Sequence, residues 1–167
     1  MRLLLTIIMV ALGLTTGAAA AQEGREGAAA FVREVYAGYR FDGPWPIDDQ
    51  RLDDVFSPRL AALIRRDREL SDGDLPYLDA DPLCSCQDVD GLRVLEAAAG
   101  WLDTRVVVHV RFVNGGEEAT ARLLMYGNPV RGWRIDDVLN ADGPSLVEAL
   151  SASNARVEAG GRPEGRD

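Results

Sequence analysis

Between Arg105 and Phe112 apolar and polar residues alternate, and this pattern most narrows what the chain can become. Val106, Val108, Val110 and Phe112 point one way and Arg105, His109 and Arg111 the other, with Val107 the one apolar residue on the polar face. A period of two belongs to a half-buried strand. Asn114-Gly115 follows at once, a hairpin signal, because tight hairpin turns need residues that accept positive φ. Ala119, Ala121, Leu123 and Met125 then share one face of the return strand. Gly127-Asn128-Pro129 turns the chain again toward Trp133, Ile135 and Val138-Leu139. Leu92–Ala99 fits a further strand or a helical turn equally well. A meander of this kind has one apolar face, and something must cover it.

The first half of the domain supplies the cover. Residues 22–30 are polar and rich in Ala and Gly, the composition of a frayed lead-in. Phe31, Val32, Val35, Tyr36 and Tyr39 recur at helical spacing, and Gly43-Pro44 stops that helix. Asp48 or Asp49 is placed to cap a short helix carrying Leu52, Val55 and Phe56. Ser57-Pro58 starts another, with Ser at the N-cap and Pro in the first turn. Its buried face is Leu60, Leu63, Ile64 and Leu70, and Arg59, Arg65, Arg66 and Arg68 read as its solvated side. Ser145 and Glu148 form a capping box that opens a closing helix with Leu146, Ala149 and Leu150. Helices, then a strand meander, then a last helix predict an α+β fold: N-terminal helices packed on a curved antiparallel sheet. The domain is expected over residues 22–155, with 156–167 a disordered tail.

Ahead of the domain, Met1-Arg2 is a charged start, Leu3–Leu14 is apolar, and Ala18–Ala21 is a run of small residues. This is the layout of a secretory signal peptide over residues 1–21, with cleavage after Ala21 and Gln22 as the new N-terminus. The competing reading is an uncleaved anchor, but the strongly apolar run is shorter than the roughly 20 residues a spanning helix needs. The expected location is periplasmic or secreted, with no stable membrane insertion after cleavage. Cleavage removes Arg2 from the 18 basic side chains, so 17 face 27 acidic ones and the formal net charge moves from −9 to −10. Such a field disfavours nucleic acid and anionic surfaces and favours cationic partners.

The stretch from Ser71 to Asp90 is a long loop, and loops of that length in small domains are commonly functional or disordered. It holds Cys84 and Cys86, the two cysteines of the chain. In an oxidising compartment they are expected to pair. The neighbouring Asp79, Asp81, Asp88 and Asp90 oppose thiolate formation, so a structural disulfide is expected ahead of a redox pair, and metal binding comes third. The acids have no calcium-loop spacing and read as acceptors for loop backbone N–H groups. Binding candidates in the loop are Asp79, Asp81, Gln87 and Asp88. No motif asks for a cofactor or a metal. His109 is the sole histidine, on the polar face of a strand, and Tyr36, Tyr39, Tyr126 and Trp133 read as core aromatics ahead of the alternative that they line a pocket.

Taken with the early aromatic helix, the Asp81-Pro82 and Gln87-Asp88 elements, Gly132-Trp133-Arg134-Ile135-Asp136-Asp137 and the Ser145-Leu146 ending resemble the bacterial envelope domain-of-unknown-function family 3828. The resemblance covers roughly residues 28–152. It implies a cone-shaped fold similar to nuclear transport factor 2, with a pocket between sheet and helices, and it implies no activity. In such a fold the strand carrying Trp133 and Asp136 runs near the 79–90 loop, which adds both residues to the candidates. The expected function is that of an exported, non-catalytic protein binding a partner or small ligand through that loop and the adjoining pocket. One alternative is an inhibitor or immunity-type protein against a cationic target. Another is a hydrolase or isomerase using Asp88 or Asp136 with His109. Asp88→Ala is expected to damage folding and binding, and His109→Ala to leave both nearly unchanged.

Overall fold

The computed structural model describes residues 21–40, 45–71 and 75–161. The expected signal peptide (save Ala21), the Gly43-Pro44 stop and residues 162–167 of the expected tail lie outside the described residues. Residues 21–37 are helical (α1) and pass into a 3₁₀ turn, Gly38–Arg40. Helix α2 spans Leu52–Val55 and α3 spans Pro58–Ser71. Four strands follow: β1 Arg93–Leu102, β2 Arg105–Asn114, β3 Glu117–Asn128 and β4 Gly132–Val138. Helix α4, Leu146–Glu158, closes the domain.

The strands pair in sequence order, β1-β2-β3-β4, every pair antiparallel. The alternation around Val108 sets the sides as expected. Val106, Val108, Val110 and Phe112 are buried in the core, and His109 and Arg111 are exposed. Val107 is also buried, although it points to the other face. The β2–β3 turn is centred on Gly115-Gly116, both at positive φ (59° and 86°), one residue later than the Asn-Gly pair alone suggests. Asn114 serves the long loop as well. Its side chain accepts from Asp90 N–H and donates to the Asp88 carbonyl, holding the end of that loop to the sheet. Register shifts at Val94/Glu96 and Leu124/Met125 bend the sheet toward the helices.

The core is assembled from Ala28, Val32, Val35, Tyr36 and Tyr39 of the first helical segment, Phe56, Leu60 and Ile64 around α3, the inner face of the sheet, and Leu150 of α4. The expected frayed lead-in is therefore corrected. Residues 22–30 are helical, and Ala28 and Ala29 are buried. Small side chains let this helix approach closely: a Cβ on Gly27 would stand 3.2 Å from Nε1 of Trp133.

Ser57 works as the N-cap of α3, its Oγ accepting from Leu60 N–H at 3.3 Å. Its own N–H donates to the Ile135 carbonyl, so α3 starts directly from β4. The expected cap of α2 is corrected. Arg51 occupies that position without a side-chain cap, while Asp48 accepts from Trp45 N–H. The capping box at Ser145 and Glu148 is present. Helix α4 runs three residues past the expected domain end at 155, secured by Arg66 bonding Glu158 at 2.8 Å. Among the described residues no helix is long and apolar enough to cross a membrane.

Candidate functional site

At one end of the sheet, between strands and helices, lies a cleft of about 920 Å³. Its helical wall comes from Gly24 and Arg25 of α1 and from Asp53, Phe56 and Pro58 around α2 and α3. Its sheet wall comes from Trp101 at the end of β1, Arg105 and Val106 at the start of β2, and Met125 and Tyr126 in β3. The β3–β4 hairpin completes it with Arg131, Trp133 and Arg134. Trp101 and Tyr126 are 51% and 52% exposed, unusual for side chains of that size. Leu102 and Val130, also exposed, lie at the same end of the sheet.

The hairpin lip has a fixed shape. Asn128 Oδ1 accepts from the N–H groups of Val130 and Arg131, at 2.9 and 3.0 Å. Gly127 and Gly132 sit at φ 113° and 81° and close the turn. The lip touches α1, since a Cβ on Gly24 would lie 3.5 Å from the Pro129 ring. Arg134 donates to the carbonyls of Asp53 and Trp133. Among the described residues the one carboxylate in the lining, Asp53, is already held by Arg65 at 2.8 Å. Arg25, Arg131 and Arg134 make no ion pair among the described residues. Two buried polar atoms without a hydrogen-bond partner among the described residues, Nε of Arg25 and Nε1 of Trp133, belong to this lining.

Deeper in, Asp136 collects three donors. Ser57 Oγ donates to it at 2.6 Å, Arg59 at 2.8 Å, and Arg105 also bonds it. Burial alone would push the Asp136 carboxyl up, but the Ser57 hydroxyl and the two guanidinium groups outweigh it and hold the group below the usual aspartate range. Asp136 therefore anchors α3 and β2 to β4, and Arg105, which also lines the cleft, is engaged by it.

This arrangement corrects the expected juxtaposition of Trp133 and Asp136 with the 79–90 loop. The loop meets the other end of β4, in a pocket of about 150 Å³ lined by Asp79, Asp81, Val138 and Leu146 among others. Strand β4 rises about 3.3 Å per residue, which puts Val138 roughly 13–20 Å from the Gly132–Arg134 end. The start of α3 is bridged to β4 at Ile135, and the Asp136 side chain bonds Ser57 and Arg59 there.

Within the loop the expected roles are redistributed. Asp81, 2% exposed, accepts from Tyr39 Oη at 2.6 Å and Leu83 N–H at 2.9 Å. Burial pushes its carboxyl above the ordinary value of 3.8, more than those two bonds pull it down. Tyr36 Oη donates to the Leu83 carbonyl, and Asp67 accepts from Tyr77 and Leu78 N–H. Asp79, Gln87 and Asp88 are exposed, and the Asp88 side chain accepts no hydrogen bond among the described residues. The expected folding role of Asp88 is thus overturned, and Asp81 performs it. The adjacent acids look interchangeable in the sequence, and only burial separates them.

Cys84 and Cys86 form a disulfide, with their Cα atoms 5.1 Å apart. So small a ring removes little chain entropy, and the loop keeps its other ties. The Cys84→Ser/Cys86→Ser double variant is therefore expected to lose about 1–2 kcal/mol, read by thermal melting. No group of three or more His, Cys, Asp or Glu among the described residues is placed to hold a metal ion. His109 lies on the outer sheet face opposite Ala98 and Arg122, without a carboxylate partner among the described residues. The basic residues of α3 are mostly neutralised: Arg59, Arg65, Arg66 and Arg68 all pair with acids.

Sequence reasoning missed Arg25, Trp101, Arg105, Arg131 and Arg134. The available signal was the run Arg131-Gly132-Trp133-Arg134, two arginines flanking a tryptophan beside a turn in an acidic chain.

The chain is similar to the uncharacterized protein YqhG of Escherichia coli strain K12, 28% identical over 131 residues. The match covers 75% of this chain and 42% of that protein, so the chain spans less than half of its relative's length. No family model matches the chain, and no solved structure matches it.

Proposed function

We propose that this is a non-catalytic binding domain of the bacterial envelope that takes a small, largely apolar ligand in the cleft between the sheet end and α1–α2. The observation that carries the reading is the cleft itself. Its volume of about 920 Å³ falls within the range of ligand sites, roughly 300–1,000 Å³, and its walls mix aromatic surface with a few polar groups. An enzyme reading is left without its base, because His109 faces outward and neither Asp88 nor Asp136 bonds it. Export by the N-terminal leader, membership of family 3828 and a nuclear transport factor 2-like cone belong to the same proposal. The helix-covered antiparallel sheet and the position of the cleft support the cone. The exposed Asp79, Gln87 and Asp88 favour a second reading, in which the acidic loop docks on a cationic protein. Strong weakening of association by salt is its signature.

The test uses N-phenyl-1-naphthylamine, a neutral apolar dye that brightens out of water. The Trp101→Ala/Tyr126→Ala variant should melt close to wild type, both side chains being half exposed, yet bind the dye at least about 10-fold more weakly, a loss of about 1.4 kcal/mol. His109→Ala should bind as wild type does. Equal binding by the Trp101→Ala/Tyr126→Ala variant would remove the cleft from consideration.

A further inference from the structure

We infer that the cleft selects an anionic amphipath: a single-chain molecule with an oxyanion headgroup, held at the rim by Arg25 and Arg131 and seated along Trp101, Tyr126 and Trp133. The inference rests on the reading of the cleft as a small-ligand site and specifies its chemistry.

Charge decides the class of headgroup. The chain carries a formal net charge of −9, and all 18 of its basic side chains are arginine. Elsewhere many of them are consumed. Four on α3 pair with acids, Arg105 pairs with Asp136, and Arg111 lies against Glu96 and Glu118. Arg25 and Arg131 make no ion pair among the described residues, and both line the cleft. They reach the same rim from α1 and from the hairpin lip, which touch where Gly24 meets Pro129. Among the described residues the only acid lining the cleft, Asp53, is already engaged by Arg65.

Two guanidinium groups that make no ion pair among the described residues give this cleft a locally positive lining in an acidic protein. An oxyanion supplies the counter-charge through charge-assisted, often bidentate hydrogen bonds. Nε of Arg25 is buried and without a hydrogen-bond partner among the described residues, so no acid of the protein engages that nitrogen. A cationic ligand would meet the guanidinium groups unfavourably, although the protein as a whole attracts cations. The site's local sign is therefore opposite to the global one, which makes the inference specific. The apolar body follows from Phe56, Met125 and the three aromatic side chains, against which a hydrocarbon chain is removed from water.

The experiment displaces N-phenyl-1-naphthylamine from the protein with decanoate, decanol and decyltrimethylammonium, each below its micelle concentration. Decanoate is expected to displace the dye at about 10-fold lower concentration than decanol, with the ammonium weakest. In Arg25→Gln/Arg131→Gln, folded by thermal melting, the acid-over-alcohol preference should fall to within about two-fold, while Arg111→Gln keeps it. Dye binding with equal displacement by acid and alcohol would overturn the anionic inference and leave the cleft reading standing. Absence of dye binding would sink both. A preference that survives in Arg25→Gln/Arg131→Gln would overturn the assignment of the headgroup site. Flotation with phosphatidylglycerol vesicles, or a dimer lost on Trp101→Ala, would give the cleft to a membrane surface or a second copy and also overturn it.

Discussion

Asp81→Ala is expected to lower the unfolding free energy by about 2–6 kcal/mol, because two buried donors lose their acceptor at about 1–3 kcal/mol each. Tyr39 Oη and Leu83 N–H both point at this carboxylate from buried positions, and neither has water to turn to. The same loop segment carries the Asp81–Cys86 backbone bridge, so its loss should also loosen the disulfide loop against α1. Asp88→Ala, seven residues on, should stay within about 0.5 kcal/mol of wild type, as an exposed side chain does. Chemical denaturation of the two variants reads both outcomes. A damaging Asp88→Ala beside a silent Asp81→Ala would refute the arrangement of the loop.

The same carboxylate has a pH signature. A carboxyl raised by burial binds its proton more tightly in the folded than in the unfolded state. Its contribution is therefore complete below 3.8 and is lost as pH rises through the higher folded value. Asp136 has the opposite sign, since its lowered value adds stability above 3.8 that is lost as pH falls through the folded value. Wild type should thus gain melting temperature relative to Asp81→Asn as pH drops from neutrality toward 3.8. A difference between the two that does not change with pH would contradict this.

Gly127→Ala should cost roughly 2–4 kcal/mol and should impair ligand binding as well. Gly127 holds φ 113°, a region L side chains rarely enter. An added Cβ would run into the Gly132 carbonyl oxygen and lie 3.3 Å from the Trp133 Cα, both backbone atoms that cannot swing aside. The strain is relieved only by opening the β3–β4 lip, which carries Arg131 and Trp133. Gly100→Ala, with nothing near its Cβ position, is the control and should be close to neutral. Melting and dye binding on both variants provide the check.

Period and turn chemistry carried much of the architecture. The two-residue period around Val108 and the glycines after Asn114 specify a hairpin whatever the rest of the chain does, because they act through the backbone's own preferences. Ser57 and Ser145 likewise mark helix starts, since a cap is satisfied within three residues. The pairing of Cys84 and Cys86 follows from their being the two cysteines of a chain expected in an oxidising compartment, among acids that oppose a thiolate. The candidate site is much less legible. Residues 22–30 resemble a loose lead-in because their small side chains carry no periodic signal, yet smallness is what admits α1 close to Trp133. Asp81 and Asp88 look alike until burial sorts them. The resemblance puts Asp136 near the loop, and only the fold bonds it to Ser57, Arg59 and Arg105 instead.

The sequence by itself determined the β2–β3 hairpin, the helix starts at Ser57 and Ser145 and the acidic charge, because a period, a turn or a cap depends on neighbours within a few positions and net charge on composition alone. The tertiary structure alone decided which end of the sheet opens, which aspartates are buried, and that Arg25 and Arg131, more than a hundred residues apart, share one rim. Those are properties of surfaces brought together by a common core, and a one-dimensional pattern does not contain the distances between them.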